Sequence, residues 1–536
     1  MPDCACSCYQ QHPMRAPVVQ FRSTRAMGAL VVAAGSSGLA CERGAPPGAE
    51  VQAEPVLRLG APFEEAHPAP TPGADARVGT PEDRLPFTPT GEKIASIAWR
   101  TWVYTDVGPE RTRLGYLRAG AIVDVRGPLL KNSGCDAGWY RINPRGFVCL
   151  GKGATTDLNH PIVRESMVRA RRGAGFPYVY GMSESRPPER YFRLPTLAQM
   201  NEVEAERVAD RGLAWLLRAR ENGLDERLGL AKMPPDFLPV GASLEKPYGT
   251  KMPLRRQVHS GRASPESGFA FSQFFEWEGR AFGLTTEMDL LPLDRVKLHK
   301  ESALAGVVIA EGAVPEGKPL DVAFLVKGAA TLWRKNEEGR FVPESEQRDK
   351  RGFLLTGARE PGGFLETSEG FWIVEETVRR VRPREAFPSV ATGSRKWIDI
   401  SIREQSLVAY EGKRPVYATL VSTGRGELGD PERDHATIRG TFMIYEKSVS
   451  STMDGDEDRA DSYELGDVPF VQYFHKGFAL HGAYWHDEFG KARSHGCVNL
   501  AARDSAWLFE WTDPQVPPGW HAVLNKERGT VVVVRP

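Results

Sequence analysis

A chain of 536 residues with 69 Lys+Arg against 69 Asp+Glu carries no net formal charge, so it lacks the basic footprint of a nucleic-acid binder, and nucleic acid is not an expected partner. At about 100–200 residues per domain this length allows three or four domains, and 41% hydrophobic with 26% charged residues is ordinary globular usage that excludes wholesale disorder. After the first fifty positions no apolar run reaches the ~18 residues of a membrane-spanning helix, so only the N-terminus could meet a bilayer.

From Met14 the chain carries Arg15, Arg22 and Arg25, then a weakly apolar stretch from Met27 to Ala40, then Cys41. A basic region, a short apolar core and small residues before a cut are the pattern of an export signal, expected over residues 1–41. Gly38-Leu39-Ala40-Cys41 resembles a bacterial lipoprotein cleavage site. That resemblance implies lipidation of Cys41, a membrane anchor, and residence in the bacterial cell envelope or periplasm. An ordinary signal peptide or an unstructured head is the plainer reading. Cys4, Cys6 and Cys8 precede the signal and are not read as a metal site. Residues 42–90 hold ten prolines with Ala, Gly and Glu, and are expected to be a disordered tether.

Residues 91–155 change to short β-rich runs broken by Gly, such as Trp102-Val-Tyr and Ala121-Ile-Val-Asp-Val, which suggests a small barrel. The closing Gly138-Trp-Tyr-Arg-Ile and Gly146-Phe-Val-Cys-Leu resemble the end of a bacterial SH3-like domain. Cys135 and Cys149 lie 14 positions apart, and in an oxidising compartment a disulfide across a hairpin is their simplest account. Cys497 is then left as the odd thiol of the body. Residues 156–320 have no assignable fold beyond a helix capped by Thr196, with Leu197, Met200, Val203, Val208, Leu213, Leu216 and Leu217 recurring at helical spacing as a core stripe. Residues 321–385 repeat the β texture, as a possible second SH3-like barrel or an irregular stack of hairpins. From 395 to 536 the runs Trp397-Ile-Asp-Ile-Ser-Ile, Ser406-Leu-Val-Ala-Tyr, Val416-Tyr-Ala-Thr-Leu-Val and Thr530-Val-Val-Val-Val predict a β-sandwich or closed sheet, with a hairpin turning at Glu411-Gly412-Lys413. The fold class is mainly β with a helical element in the middle.

This last segment holds His481-Gly482 and, beginning 13 residues after the histidine, Ser494-His495-Gly496-Cys497-Val498-Asn499. A thiol attacks as its thiolate, and a nearby imidazole can take the proton and hold it in an ion pair. Gly496 lets the backbone pass close to a bound carbonyl, and N–H groups around Cys497 can point at a developing oxyanion.

The His-Gly and Ser-His-Gly-Cys-Val-Asn pattern resembles the signature of L,D-transpeptidases with the YkuD-type catalytic domain. Ser422-Thr-Gly and Thr437-Ile-Arg-Gly-Thr-Phe442 resemble that family's approach to the site, with Ile438 where Pro is usual. The resemblance implies that Cys497 attacks a carbonyl of a peptidoglycan stem peptide and His481 is the general base, oriented by the carbonyl of Gly482. It implies oxyanion-hole N–H groups at His495, Gly496 and Cys497, bracing by Ser494 and Asn499, and support from Tyr473. The thioester would pass to an amine, giving a cross-link, or to water, giving an L,D-carboxypeptidase. No cofactor or metal is expected. A zinc cluster of His475, His481, His486, Asp487, His495 and Cys497 is the rival chemistry. An inert buried cysteine, or an idle wall-binding envelope protein, is the non-catalytic reading.

Overall fold

The computed structural model describes residues 91–166, 170–173, 175–250, 256–314, 320–325, 330–347, 350–382, 384, 386–454 and 464–536. The expected export signal, the lipidated Cys41 and the tether of 42–90 lie outside the described residues. Strands take 43% and helices 11%, so the fold is mainly β.

Strands Lys93–Ser96, Thr101–Tyr104, Arg113–Leu117, Ile122–Asn132, Cys135–Ile142 and Phe147–Cys149 pair antiparallel around Val103, Val125, Ile142 and Val148. A disulfide joins Cys135 to Cys149, with their Cα atoms 5.9 Å apart on neighbouring strands. Residues 322–381 form a separate seven-stranded sheet whose core is Ala323, Leu325, Leu332, Phe353, Leu365 and Ile373.

The middle region does have a fold. Strands Val179–Ser183, Gly268–Trp277, Arg280–Thr285 and Leu290–Pro292 form an antiparallel sheet over a Phe-rich core. The helix expected from Thr196 does start there, with a capping box in which Thr196 and Gln199 bond each other's backbone N–H. It stops after Glu204, because Ala205 turns left-handed at φ 52°, and a second helix runs Ala209–Glu221. That break changes the phase of the stripe. Leu216 is buried, but Leu213 and Leu217 are about half exposed, which corrects their reading as core.

In the C-terminal part, Lys396–Ser401, Ser406–Glu411 and Arg414–Leu420 are successive antiparallel strands, and the second pair turns through Gly412 at φ +59°. Val531–Arg535 lies parallel to Lys396–Ser401 and antiparallel to Gly440–Met443. These strands read as continuous apolar runs because both faces are covered. Trp397, Val531 and Val533 pack on one side with Val322, Phe324 and Val381. Ile398, Ile400, Val532 and Val534 pack on the other with Leu480, Val498, Leu500 and Trp511. The second sheet of this sandwich runs Ala522–Leu524, Glu446–Asp454, Glu464–His475, Phe478–Gly482, Val498–Leu500.

That second sheet continues into the preceding segments. Arg113–Leu117 pairs with Ala522–Leu524, and Gly268 meets Leu465. The Arg118 guanidinium holds both oxygens of Asp467, which is fully buried and also accepts from Ser450 Oγ at 2.8 Å and from Thr286 Oγ1. Burial opposes the Asp467 charge, but Arg118 outweighs it and keeps the carboxyl below its ordinary range. Asp467 therefore ties the N-terminal strands, through an ion pair, and the middle region, through a hydroxyl, to the sandwich.

Candidate active site around Cys497

The strand Glu464–His475 turns through Lys476 and Gly477 into Phe478–Gly482, which runs parallel to Val498–Leu500. The register sets His481 opposite Asn499. Residues two apart share a face, so Cys497 enters this strand on the side of Asn499 and His481. Cys497 is half-buried, and it is the free cysteine among the described residues.

The loop that presents the thiol is tied down at most of its polar atoms. Ser494 Oγ accepts the Gly496 N–H at 3.0 Å and donates to the Cys497 carbonyl. Thr437 Oγ1 accepts the Gly424 N–H and donates to the Gly496 carbonyl, each at 2.8 Å. Asn499 and Ser422 exchange backbone hydrogen bonds of 2.9 and 3.0 Å. Gly496 has φ +126°, and a Cβ there would stand 2.8 Å from the Phe478 ring, so only glycine suits the position. Its N–H is committed to Ser494, so it is not available as one of the three oxyanion donors expected at His495, Gly496 and Cys497.

His481 is buried, and its Nδ1 lies 3.1 Å from the Gly482 carbonyl. A carbonyl can only accept, so Nδ1 carries the hydrogen and Nε2 keeps a lone pair. Burial lowers this imidazole to about 4. Burial also pushes the Cys497 thiol up to about 11, against a hydrogen bond from the Ala479 backbone. Among the described hydrogen bonds the thiol's own donor goes to the Gly477 carbonyl at 3.6 Å, and none joins it to His481. The resting pair is thus neutral thiol and neutral imidazole, not the ion pair expected from the motif. Among the described residues no cation stands against the sulfur to offset its desolvation.

His486 is a further member that sequence reasoning placed only in the zinc alternative. Its Nδ1 accepts the Glu488 N–H at 3.2 Å, so Nε2 carries the hydrogen and faces the Asn499 amide at 3.0 Å. The amide must then present its oxygen to His486. Among the described residues no group of three or more His, Cys, Asp or Glu side chains converges as a metal site. His495 is exposed with its ring 4.8 Å from that of His435, and Asp487 bonds Ser302 and Lys350.

The wall behind the thiol comes partly from the region that had no sequence assignment. Phe176, Tyr178, Tyr180, Leu465, Ala479 and Tyr484 form one buried cluster against which Cys497, Tyr473 and Trp485 pack. Tyr180 and Tyr484 stack with centroids 4.3 Å apart, and Trp485 lies 5.7 Å from His481. The aromatic run Phe176-Pro-Tyr178-Val-Tyr180 was the signal available for this in the sequence.

Residues 395–534, which form this two-sheet sandwich with its thiol, histidine and loop, match the family model of the L,D-transpeptidase catalytic domain, YkuD. Among curated proteins the chain is similar to "Putative L,D-transpeptidase YciB" of Bacillus subtilis (strain 168), 26% identical over 125 residues, which is 21% of this chain. The chain spans 59% of the length of that relative. Among solved structures it is similar to an L,D-transpeptidase from Mycobacterium smegmatis, at 20% identity and a TM-score of 0.21, over 34% of this chain and 81% of that one. L,D-transpeptidase 3 from Mycobacterium tuberculosis, solved with a faropenem-derived adduct, matches at 15% identity and a TM-score of 0.21, over 44% of this chain and 95% of that one.

Proposed function

We propose that this chain is an L,D-transpeptidase of the bacterial cell envelope, acting on peptidoglycan stem peptides through a thioester on Cys497. The observation that carries the reading is the tautomer of His481. With Nδ1–H held by the Gly482 carbonyl, Nε2 keeps the lone pair that a base for the thiol needs, and the strand register sets His481 opposite Asn499, two residues beyond Cys497. The match of residues 395–534 to the catalytic-domain model supports the same chemistry.

In this mechanism Nε2 takes the thiol proton as sulfur attacks the stem carbonyl, and the N–H groups of His495 and Cys497 meet the oxyanion. The imidazolium returns the proton to the leaving amine. An amine from a second stem then opens the thioester, with His481 again taking a proton. Ser494, Thr437 and Asn499 hold the loop, and export with lipidation at Cys41 would deliver the domain to the wall.

The test is intact-mass spectrometry of the full chain incubated with a tetrapeptide stem and an amine acceptor. The expected result is a mass increment on Cys497, absent from Cys497→Ser, together with a cross-linked product. Product formation by Cys497→Ala at the parent rate would overturn the reading.

A further inference from the structure

A cavity of about 150 Å³ opens where the N-terminal strands, the middle region and the sandwich meet. None of its lining residues belongs to the Cys497 loop or to Phe478–Gly482. At ~30 Å³ per water it has room for about five waters, the scale of one sugar ring. Its wall mixes a few aromatic rings with small apolar and polar side chains. Trp99, Tyr178 and Trp520 supply rings, and Glu165, Ser272 and His521 supply hydrogen-bonding edges.

The charges in this wall argue against an anionic ligand. Arg118 gives its guanidinium to both oxygens of Asp467, and Arg172 gives its own to both oxygens of Glu510 at 2.8 Å each. The acidic group present, Glu165, is buried and accepts the Glu245 N–H at 3.2 Å. Burial pushes it to about 7, so near neutrality it both donates and accepts. Ser272 Oγ donates to the Leu284 carbonyl and His521 Nε2 to the Ser450 carbonyl, which leaves lone pairs on Ser272 Oγ and His521 Nδ1. Trp520 Nε1–H and Ser166 Oγ, both in wall residues, are buried without a partner among the described residues. Orphaned buried donors are costly and mark a place where a ligand or water completes the bonding.

We propose that this cavity binds one N-acetylhexosamine unit of a glycan strand, its apolar ring face against the aromatic side chains and its hydroxyl and acetamido groups on Glu165, Ser272, His521 and Trp520. A neutral, polyhydroxylated ring needs paired donors and acceptors beside an aromatic surface, and a carbonyl acceptor would satisfy the indole N–H. The identity of the glycan rests on the peptidoglycan reading above. The cavity would then hold the strand while Cys497 handles a stem.

The experiment uses the full chain with Cys497→Ser and a soluble N-acetylglucosamine tetramer without stem peptides, so binding is read independently of acyl transfer. Calorimetric titration should show saturable binding below about 10 mM, weakened about tenfold or more by Glu165→Leu, which removes the donor and acceptor, and by Ala119→Leu, which fills the cavity. Melting curves check that each variant is folded, and the near-isosteric Glu165→Leu carries the test if Ala119→Leu is not. Binding that fails to saturate, binding left unchanged by Glu165→Leu, or equal binding of a glucose tetramer would overturn the proposal. Binding here together with no acylation of Cys497 in the unsubstituted chain would leave the cavity assigned and the acyl-transfer reading refuted.

Discussion

The neutral resting state of Cys497 and His481 makes a prediction that separates this site from a preformed thiolate–imidazolium pair. With the thiol at about 11, the thiolate fraction at pH 7 is about one in 10⁴. Alkylation of the free enzyme by iodoacetamide should then rise about tenfold per pH unit between pH 7 and 10, with no plateau in that range. His481, lowered to about 4, is already neutral throughout the window and contributes no positive charge to hold a thiolate. Replacing it with Ala should therefore change the alkylation rate by less than about threefold, while acylation by a stem peptide, which needs the base, falls by roughly 10²–10⁴. Stopped-flow alkylation with mass-spectrometric localisation to Cys497 measures the first quantity, and single-turnover acylation the second. A pH-independent alkylation rate from about pH 5 to 9 that disappears in His481→Ala would mean an ion pair at rest, and would refute the argument from desolvation.

Thr437→Val removes the hydroxyl that bridges the Gly424 N–H to the Gly496 carbonyl, and should lower acylation by about tenfold or more while Thr437→Ser largely restores it. Reducing the Cys135–Cys149 disulfide should destabilise the N-terminal strands by about 3 kcal/mol on the chain-entropy model, read from denaturant titrations with and without reductant. Asp504, which accepts from Tyr417, Thr419 and the Gly306 N–H, is pushed by burial up to about 6, above its unfolded value of about 3.9. Its stabilising contribution is present below about pH 4 and lost as pH rises through about 6, so Asp504→Asn should flatten the melting midpoint across that window.

The loop that carries Cys497 was legible because its pattern is local. Ser494 through Asn499 is one continuous run, and His481 reaches it through a single strand pairing. The hairpin at Gly412 was legible for the same reason. The protonation states were not, because they depend on how deeply Cys497 and His481 sit and on which cations approach them, and neither is written in spacing. The role of His486 was hidden as well: it depends on a tautomer fixed by the Glu488 N–H. Helical periodicity misplaced Leu213 and Leu217, since the turn at Ala205 resets the phase and carries no Gly or Pro to announce it. The aromatic wall was missed because Tyr180 and Tyr484 lie 304 positions apart in the chain and meet only through tertiary packing.

That wall bears on what counts as the working unit. The family match ends at residue 395 on its N-terminal side, yet Asp467, deep in the matched part, is neutralised by Arg118 and bonded by Thr286, both outside it. Cutting the chain at 395 would remove the Arg118 cation and the Thr286 hydroxyl that hold the Asp467 carboxylate. It would also open the edge of Ala522–Leu524 and strip Tyr484 of its stacking partner beside Trp485 and His481. The geometry around Cys497 is therefore held by three segments together. A ligand in the cavity would touch Tyr178, which belongs to the same buried cluster against which Cys497 packs.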